Sequence, residues 1–334
     1  LHPVGTFGIE IETETVSGES YGGILEELRE DRNGLYYPNP TENWRATLDG
    51  SLRNFGVEFV LKKPLSLSDA FKALDEFDEK IAQKVNFIQG APGTSVHVHI
   101  NMLRETPLTL AKFLVIWVLC ENLLLEFSGQ TRRSNLYALG SRVAETVVDN
   151  YTHMFRKMVR HSYDVLMFPE QDTKYSALNI QNLASKGTVE ARCFRGTTNV
   201  SEIKEWLTVL NSLLAFARSD IYPNEILLNY RDQGLEFIKN IFPDELVERI
   251  VDPMFAEKLI DRNLVYCQWL VESVEDWKSF CVFENPSEPR LSDEEAGITQ
   301  IDEIDEIAQE DLEEEELLTE NIGSAIQEED DYDF

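Results

Sequence analysis

At 334 residues and 43% hydrophobic, the chain is long enough to bury a core, as one large domain or two smaller ones, and is too apolar to be read as disordered. Its formal charge of −31, from 61 acids against 30 bases, argues against nucleic-acid backbones or anionic lipid as partners, since both reward positive patches. The four cysteines, Cys120, Cys193, Cys267 and Cys281, form no CxxC pair and read as free thiols in a reducing compartment.

Val4 to Thr13 has the alternation of a strand, entered almost at once and without the basic stretch and hydrophobic core of a secretory signal. A cytoplasmic location is the expectation. Gly18 to Asn43 reads as a long loop with a short helix inside it, followed by the turn signal Asp49-Gly50-Ser51-Leu52 and a strand over Gly56 to Val60. Ser66 is a candidate N-cap for a helix to Val85, with Phe71, Leu74, Phe77 and Ile81 at helical spacing.

The loop Gly90-Ala91-Pro92-Gly93 leads into the strand Ser95 to Asn101. Leu108 to Phe127 predicts a buried helix, apolar nearly all round. Its longest uninterrupted apolar run, Phe113 to Cys120, is short of the ~20 residues of a membrane span, so no membrane partner is expected. Ser141 to Leu166 is helical in pattern. Tyr175 to Leu183 and Gly187 to Arg195 predict a hairpin, Ser201 to Arg218 an amphipathic helix, and Gln233 to Trp277 short helices. The five tryptophans are expected to be core or interface anchors.

Beyond Pro286 the composition changes, which places a boundary between residues 1–285 and an acidic tail, 286–334. From Leu291 onward there are 19 acids and no Lys or Arg, so the tail carries more than half of the charge imbalance. Ile298, Ile301, Ile304 and Ile307 recur every three residues. That stripe suits an acidic helix docking on a protein partner, whereas the run Glu313 to Glu316 suits a disordered solubilising segment.

Three segments place chemistry at two-residue spacing: Glu10-Ile11-Glu12, His97-Val98-His99 and Glu190-Ala191-Arg192. In a strand each pair shares one face, opposite the apolar residue between them. Each pair alone has an ordinary reading, as a solvated face, hydrogen-bonded histidines or a cross-strand ion pair. Together with Glu58 they form a face of carboxylates, imidazoles and a guanidinium, which is costly unless something charged binds there. Divalent metal and phosphate fit best, with Glu10, Glu12, Glu58 and Glu190 supplying hard oxygen ligands.

The full order of motifs is Glu10-x-Glu12, Asp49-Gly50-Ser51-Leu52 with Gly56-x-Glu58, His97-x-His99, Arg132-Arg133-x-Asn135-x-Tyr137, Tyr175-x-Ala177-Leu178-Asn179, and Thr188-Val189-Glu190-x-Arg192-x-Phe194. This order resembles the amidoligases of bacteria and their phages, in the superfamily of glutamine synthetase and glutamate-cysteine ligase. The resemblance runs from about Gly8 to Asn199. It implies an α+β fold, a glutamine-synthetase-like curved antiparallel sheet with helices packed on its outer face and ATP on its concave face.

By the same resemblance Glu10, Glu12, Glu58, His97 and Glu190 would hold two or three Mg²⁺ or Mn²⁺ ions, and His99 would lie near a phosphate. Arg192 would stabilise the transferring γ-phosphoryl group. Arg132 and Arg133 would bind a phosphate or the carboxylate substrate. Asn179 would contact the acid or the amine, and Asp49 is the first choice to accept a proton from the incoming amine.

The implied activity is ATP-dependent ligation of a carboxylate substrate to an amine substrate, either of them a small molecule, a peptide or a protein. For a phage protein the setting is the host cytoplasm. A γ-glutamyl ligase or phosphotransferase of the same superfamily, and a noncatalytic virion or scaffold protein keeping the fold, are the alternatives.

Overall fold

Alternation decides which side of the sheet is covered: Phe7, Ile9 and Ile11 are buried, and Gly8, Glu10 and Glu12 point the other way. The computed structural model describes residues 5–16, 41–47, 51–53, 55–129, 140, 145–159, 175–242, 252–278 and 280, all within the unit Leu1–Phe283. The described strands are β1 (Phe7–Thr13), β2 (Trp44–Thr47), β3 (Val57–Leu61), β4 (Ser95–Asn101), β5 (Leu178–Asn179) and β6 (Thr188–Arg195). They form one sheet in the order β2-β3-β1-β4-β6-β5, with every neighbouring pair antiparallel.

The described helices are α1 (Leu67–Phe77), α2 (Pro107–Ser128), α3 (Glu145–Val159), α4 (Asn182–Ser185), α5 (Val200–Ala217), α6 (Pro223–Gln233), α7 (Leu235–Lys239), α8 (Pro253–Asp261) and α9 (Leu264–Glu272). The fold is α+β. Aromatic contacts tie the apolar sheet face to its helices. Phe59 of β3 meets Phe77 of α1 with ring centroids 5.4 Å apart, and Phe194 of β6 stacks on Trp206 of α5 at 5.1 Å. Trp206 in turn meets Trp117 and Phe127 of α2. Truncating one of these buried rings to alanine costs about 3–5 kcal/mol, so the apolar face fixes the register of everything opposite it.

Helix α2 begins at the Thr106 N-cap, whose hydroxyl accepts from the Thr109 amide at 3.1 Å, with Pro107 following it. By length and composition it could cross a membrane, with a mean hydropathy of 1.9 in its most apolar window, but 83% of that window is buried inside the protein. The charges that shorten its apolar run are buried too. Lys112 donates to the Ser219 carbonyl, and the Trp117 indole donates to Glu121 at 3.3 Å. Asn122 and Asn263 bind each other at 2.8 Å, and Asn263 also donates to the Val118 carbonyl at 2.7 Å, which docks α8 and α9 on α2.

Several boundaries depart from the sequence pattern. The helix from Ser66 becomes a π-helical turn over Asp78–Ala82, where the Gln83 amide reaches back to the Asp78 carbonyl, and it ends before Val85. The expected hairpin of Tyr175 to Leu183 with Gly187 to Arg195 keeps its antiparallel pairing, but β5 is two residues long and the connection contains α4. The connection closes at Gly187, whose φ of +64° suits glycine. Helix α6 precedes the expected run of short helices, with Pro223 at its first turn and Glu225 accepting from the Tyr222 amide at 2.7 Å. Trp44, Trp117, Trp206 and Trp277 are buried, whereas Trp269 is 54% exposed on α9. The short helix expected inside the loop Gly18 to Asn43, around Ile24 to Arg29, the turn residue Asp49, Cys281 and the acidic tail lie outside the described residues.

Strand β2 is held from α1. The Trp44 indole donates to the Ala73 carbonyl at 2.8 Å, and Glu76 accepts from the Glu42 and Asn43 amides and the Asn43 side chain. Burial would raise the Glu76 carboxyl, but these hydrogen bonds and Lys80 outweigh it and lower it from 4.5 to about 2. A lowered folded pKa means that the contribution is complete above the ordinary carboxylate value and is lost as pH falls from about 4.5 toward about 2. Glu76→Gln should therefore flatten the acid limb of the stability–pH profile, read from denaturant melts between about pH 5 and about pH 3. Parallel profiles for variant and wild type would contradict this role.

Candidate functional site

Opposite the helix-covered face, the ladder register sets polar residues side by side. Across β3, β1 and β4 the facing pairs are Glu12 with Glu58 and Glu10 with His97. His99 faces Glu190 of β6, which faces Asn179 of β5. The sheet thus brings Glu10, Glu12, Glu58, His97, His99, Asn179, Glu190 and Arg192 onto one face. Asp49, Arg132 and Arg133 lie outside the described residues.

Arg192 shares this face with Glu190 by alternation and stands at a β-bulge. Between the pairs Val98–Ala191 and Val96–Phe194, β4 has one residue and β6 has two, so Arg192 and Cys193 both stand opposite His97. Arg192 stays beside Glu190, its Nη1 donating at 2.6 Å. Cys193 turns into the core, where Ser128 contacts its sulfur at 3.4 Å. Cys193 is a buried thiol there.

The carboxylates and imidazoles converge closely. His99 Nε2 lies 3.0 Å from Glu10 Oε1, and His97 Nδ1 lies 3.3 Å from Glu10 Oε2 and 3.4 Å from Glu190 Oε1. Glu190 Oε2 accepts from the side-chain amides of Asn179, at 3.0 Å, and Asn182, at 2.9 Å. Glu58 accepts from the Thr47 hydroxyl at 3.2 Å. Two sets of ligand atoms lie within 4.8 Å of one another, Glu10 with Glu58 and His97, and Glu10 with His99 and Glu190. Glu10 is common to both.

Ser95 decides how His97 faces this cluster. Its hydroxyl lies 2.6 Å from Glu12 Oε2 and 2.7 Å from His97 Nε2, with Ser95, His97 and Glu12 all buried. A hydroxyl has one proton, and the carboxylate only accepts, so Ser95 donates to Glu12 and accepts from His97 Nε2–H. Nδ1 then faces the Glu10 and Glu190 oxygens, presenting a lone pair when the ring is neutral and an N–H when it is protonated. Three lone-pair donors aimed at one volume repel one another unless a proton or a cation lies among them.

The titration behaviour expresses the same crowding. Burial would raise the Glu10 carboxyl, but the His99 charge and hydrogen bonds from both imidazoles hold it well below the usual range. Burial would lower His99, but the charges of Glu10 and Glu190 raise it. Glu190 is lowered against its burial by His99, Arg192 and His97. Among the described residues, four carboxylates meet Arg192 and two imidazoles here. This donor set of carboxylate oxygens with one or two imidazoles suits Mg²⁺ or Mn²⁺.

The sequence pattern alone gives no role to Ser95, Asn182 or Arg45. Ser95 lies two residues before His97 and shares its face by the strand period alone. Arg45 and Thr47 alternate with buried Trp44 and Ala46, a four-residue signal at the end of a long loop. Asn182 comes from a helix, where strand alternation is no guide. A separate surface depression of about 610 Å³, lined in part by Ser219, Asp220 and Glu225, contains none of these residues.

No curated protein matches the chain. Residues 4–214, well over half of its length, match a family model described as "Putative amidoligase enzyme". The matched region contains all six strands of the sheet and its whole polar face. The chain belongs to this amidoligase family.

Proposed function

We propose that the chain is an ATP-dependent carboxylate–amine ligase acting on the polar face of the sheet. The observation that carries this reading is the convergence of Glu10 and Glu190 oxygens with a His97 nitrogen oriented by Ser95. Family membership supports a ligase. Two donor sets sharing Glu10, one with Glu58 and His97 and one with His99 and Glu190, support a pair of divalent cations held there, with His99 as a ligand or a contact to phosphate. Glu12 is in neither set and is proposed as a further ligand from its place beside His97. Bound there, Mg²⁺ or Mn²⁺ would neutralise polyphosphate charge so that a carboxylate can approach it.

In the reaction a carboxylate oxygen of the acid attacks the γ-phosphorus of ATP, and the bond to the bridging oxygen breaks to release ADP. The amine nitrogen then attacks the acyl phosphate carbon, phosphate leaves, and the nitrogen loses a proton. Arg192, held by Glu190, presents a planar set of donors for the charge on the transferring phosphoryl oxygens. Asn179 and Asn182 saturate the other oxygen of Glu190 and keep it turned inward. Asp49 is proposed as the proton acceptor, and Arg132 and Arg133 as contacts to a phosphate or the acid.

Mg²⁺-dependent ADP release, assayed with a panel of acids and amines, should rise when a productive pair is present. Arg192→Ala should lower that rate by roughly a thousandfold or more, and Glu12→Gln should reduce it together with Mn²⁺ affinity. Equal release by wild type and both variants would favour a noncatalytic scaffold. Ser95→Ala should weaken Mn²⁺ binding about 10–100-fold, with Ser95→Thr restoring most of it. Calorimetry showing the same Mn²⁺ affinity in Ser95→Ala would contradict the orienting role.

A further inference from the structure

The row that holds Glu10 and His97 continues to the edge of the sheet. Glu10 faces Val60 of β3, and Val60 faces Arg45 of β2. Arg45 therefore lies on the polar face, between buried Trp44 and Ala46. Its Nε is shielded from solvent and meets no acceptor among the described residues. No described carboxylate lies within ion-pair distance of its guanidinium.

This is unusual in a chain with twice as many acids as bases. The other half-buried arginines that are described, Arg192 and Arg195, are paired with Glu190 and Glu202. A buried donor without an acceptor destabilises a fold. A guanidinium left this way on a ligand-facing surface marks a place where an external anion completes the hydrogen bonding.

We propose that Arg45 binds the polyphosphate of the nucleotide, at the opposite end of the row from Arg192. The inference rests on the ligase reading above. From β6 to β2 the row crosses four inter-strand steps, on the order of 19 Å at a spacing of ~4.8 Å, with an arginine at each end and the cation-ligand cluster between them. A single carboxylate is compact and reaches one end. A polyphosphate is an extended anion whose middle is neutralised at the cluster while its ends remain for the two guanidinium groups. Apolar Val60 stands in the row between Arg45 and Glu10, which keeps the guanidinium apart from the Glu10 carboxylate.

The full chain and its Arg45→Ala and Arg45→Lys variants would be titrated by calorimetry with Mg²⁺-tripolyphosphate and with a nonhydrolysable ATP analogue plus Mg²⁺. Mn²⁺ binding and thermal stability would be measured in parallel. Arg45→Ala should weaken both phosphate ligands at least tenfold, and Arg45→Lys by less, since an ammonium keeps the charge without the fork. Mn²⁺ affinity should stay at the wild-type value, and the melting temperature should hold or rise as the buried unpaired donor is removed. Unchanged phosphate binding in Arg45→Ala, or a large loss of stability that accounts for weaker binding, would overturn the assignment. Failure of the wild type to bind either phosphate ligand would instead overturn the ligase reading.

Discussion

Charge repulsion on one face of the sheet is the constraint around which the rest of the molecule is arranged. Glu12 faces Glu58 directly across the ladder, and Glu10 and Glu190 approach the same nitrogen of His97. Like charges placed opposite each other in a sheet are destabilising, and removing an ion from water costs several kcal/mol. The opposing force is on the other face. Burial of Phe7, Ile9, Ile11, Phe59, Val96 and Val98 contributes about 1.5–3 kcal/mol each, and a slip of one residue would forfeit all of it. The apolar face therefore compels the carboxylates to gather, and protons, Arg192 and amide donors limit the cost.

Strand geometry alone accounts for much of what could be read from the sequence. Period two puts Glu10 with Glu12, His97 with His99, and Glu190 with Arg192, and the structure keeps these facings. Alternation breaks only after Arg192, where the bulge opposite His97 adds a residue and both Cys193 and Phe194 turn into the core, a feature that spacing did not contain. The partnership across strands was not legible either. Which carboxylate meets which imidazole depends on strand order and register, both set by long-range packing of β4 between β1 and β6.

What the sequence concealed follows the same division. Ser95 has the spacing of a face-sharing residue, but its role depends on Glu12 arriving from another strand. Arg45 sits in a strand of four residues held by contacts from α1, where local pattern is weakest. The apolar helix α2 shows the converse. Lys112 and Glu121 interrupt its apolar run in the sequence, whereas its tertiary contacts bury both charges along with 83% of its most apolar window.

The proposed ligase chemistry requires Glu10, Glu12, Glu58, His97 and Glu190 to surround a shared divalent-cation site. Crystals of the full chain grown with Mn²⁺ and a nonhydrolysable ATP analogue, measured for anomalous scattering at the manganese edge, test it most directly. The account predicts anomalous peaks between Glu10, Glu58 and His97 or between Glu10, His99 and Glu190, with His97 bound through Nδ1. Bound nucleotide with no manganese on this face, or manganese held only by other residues, would contradict it.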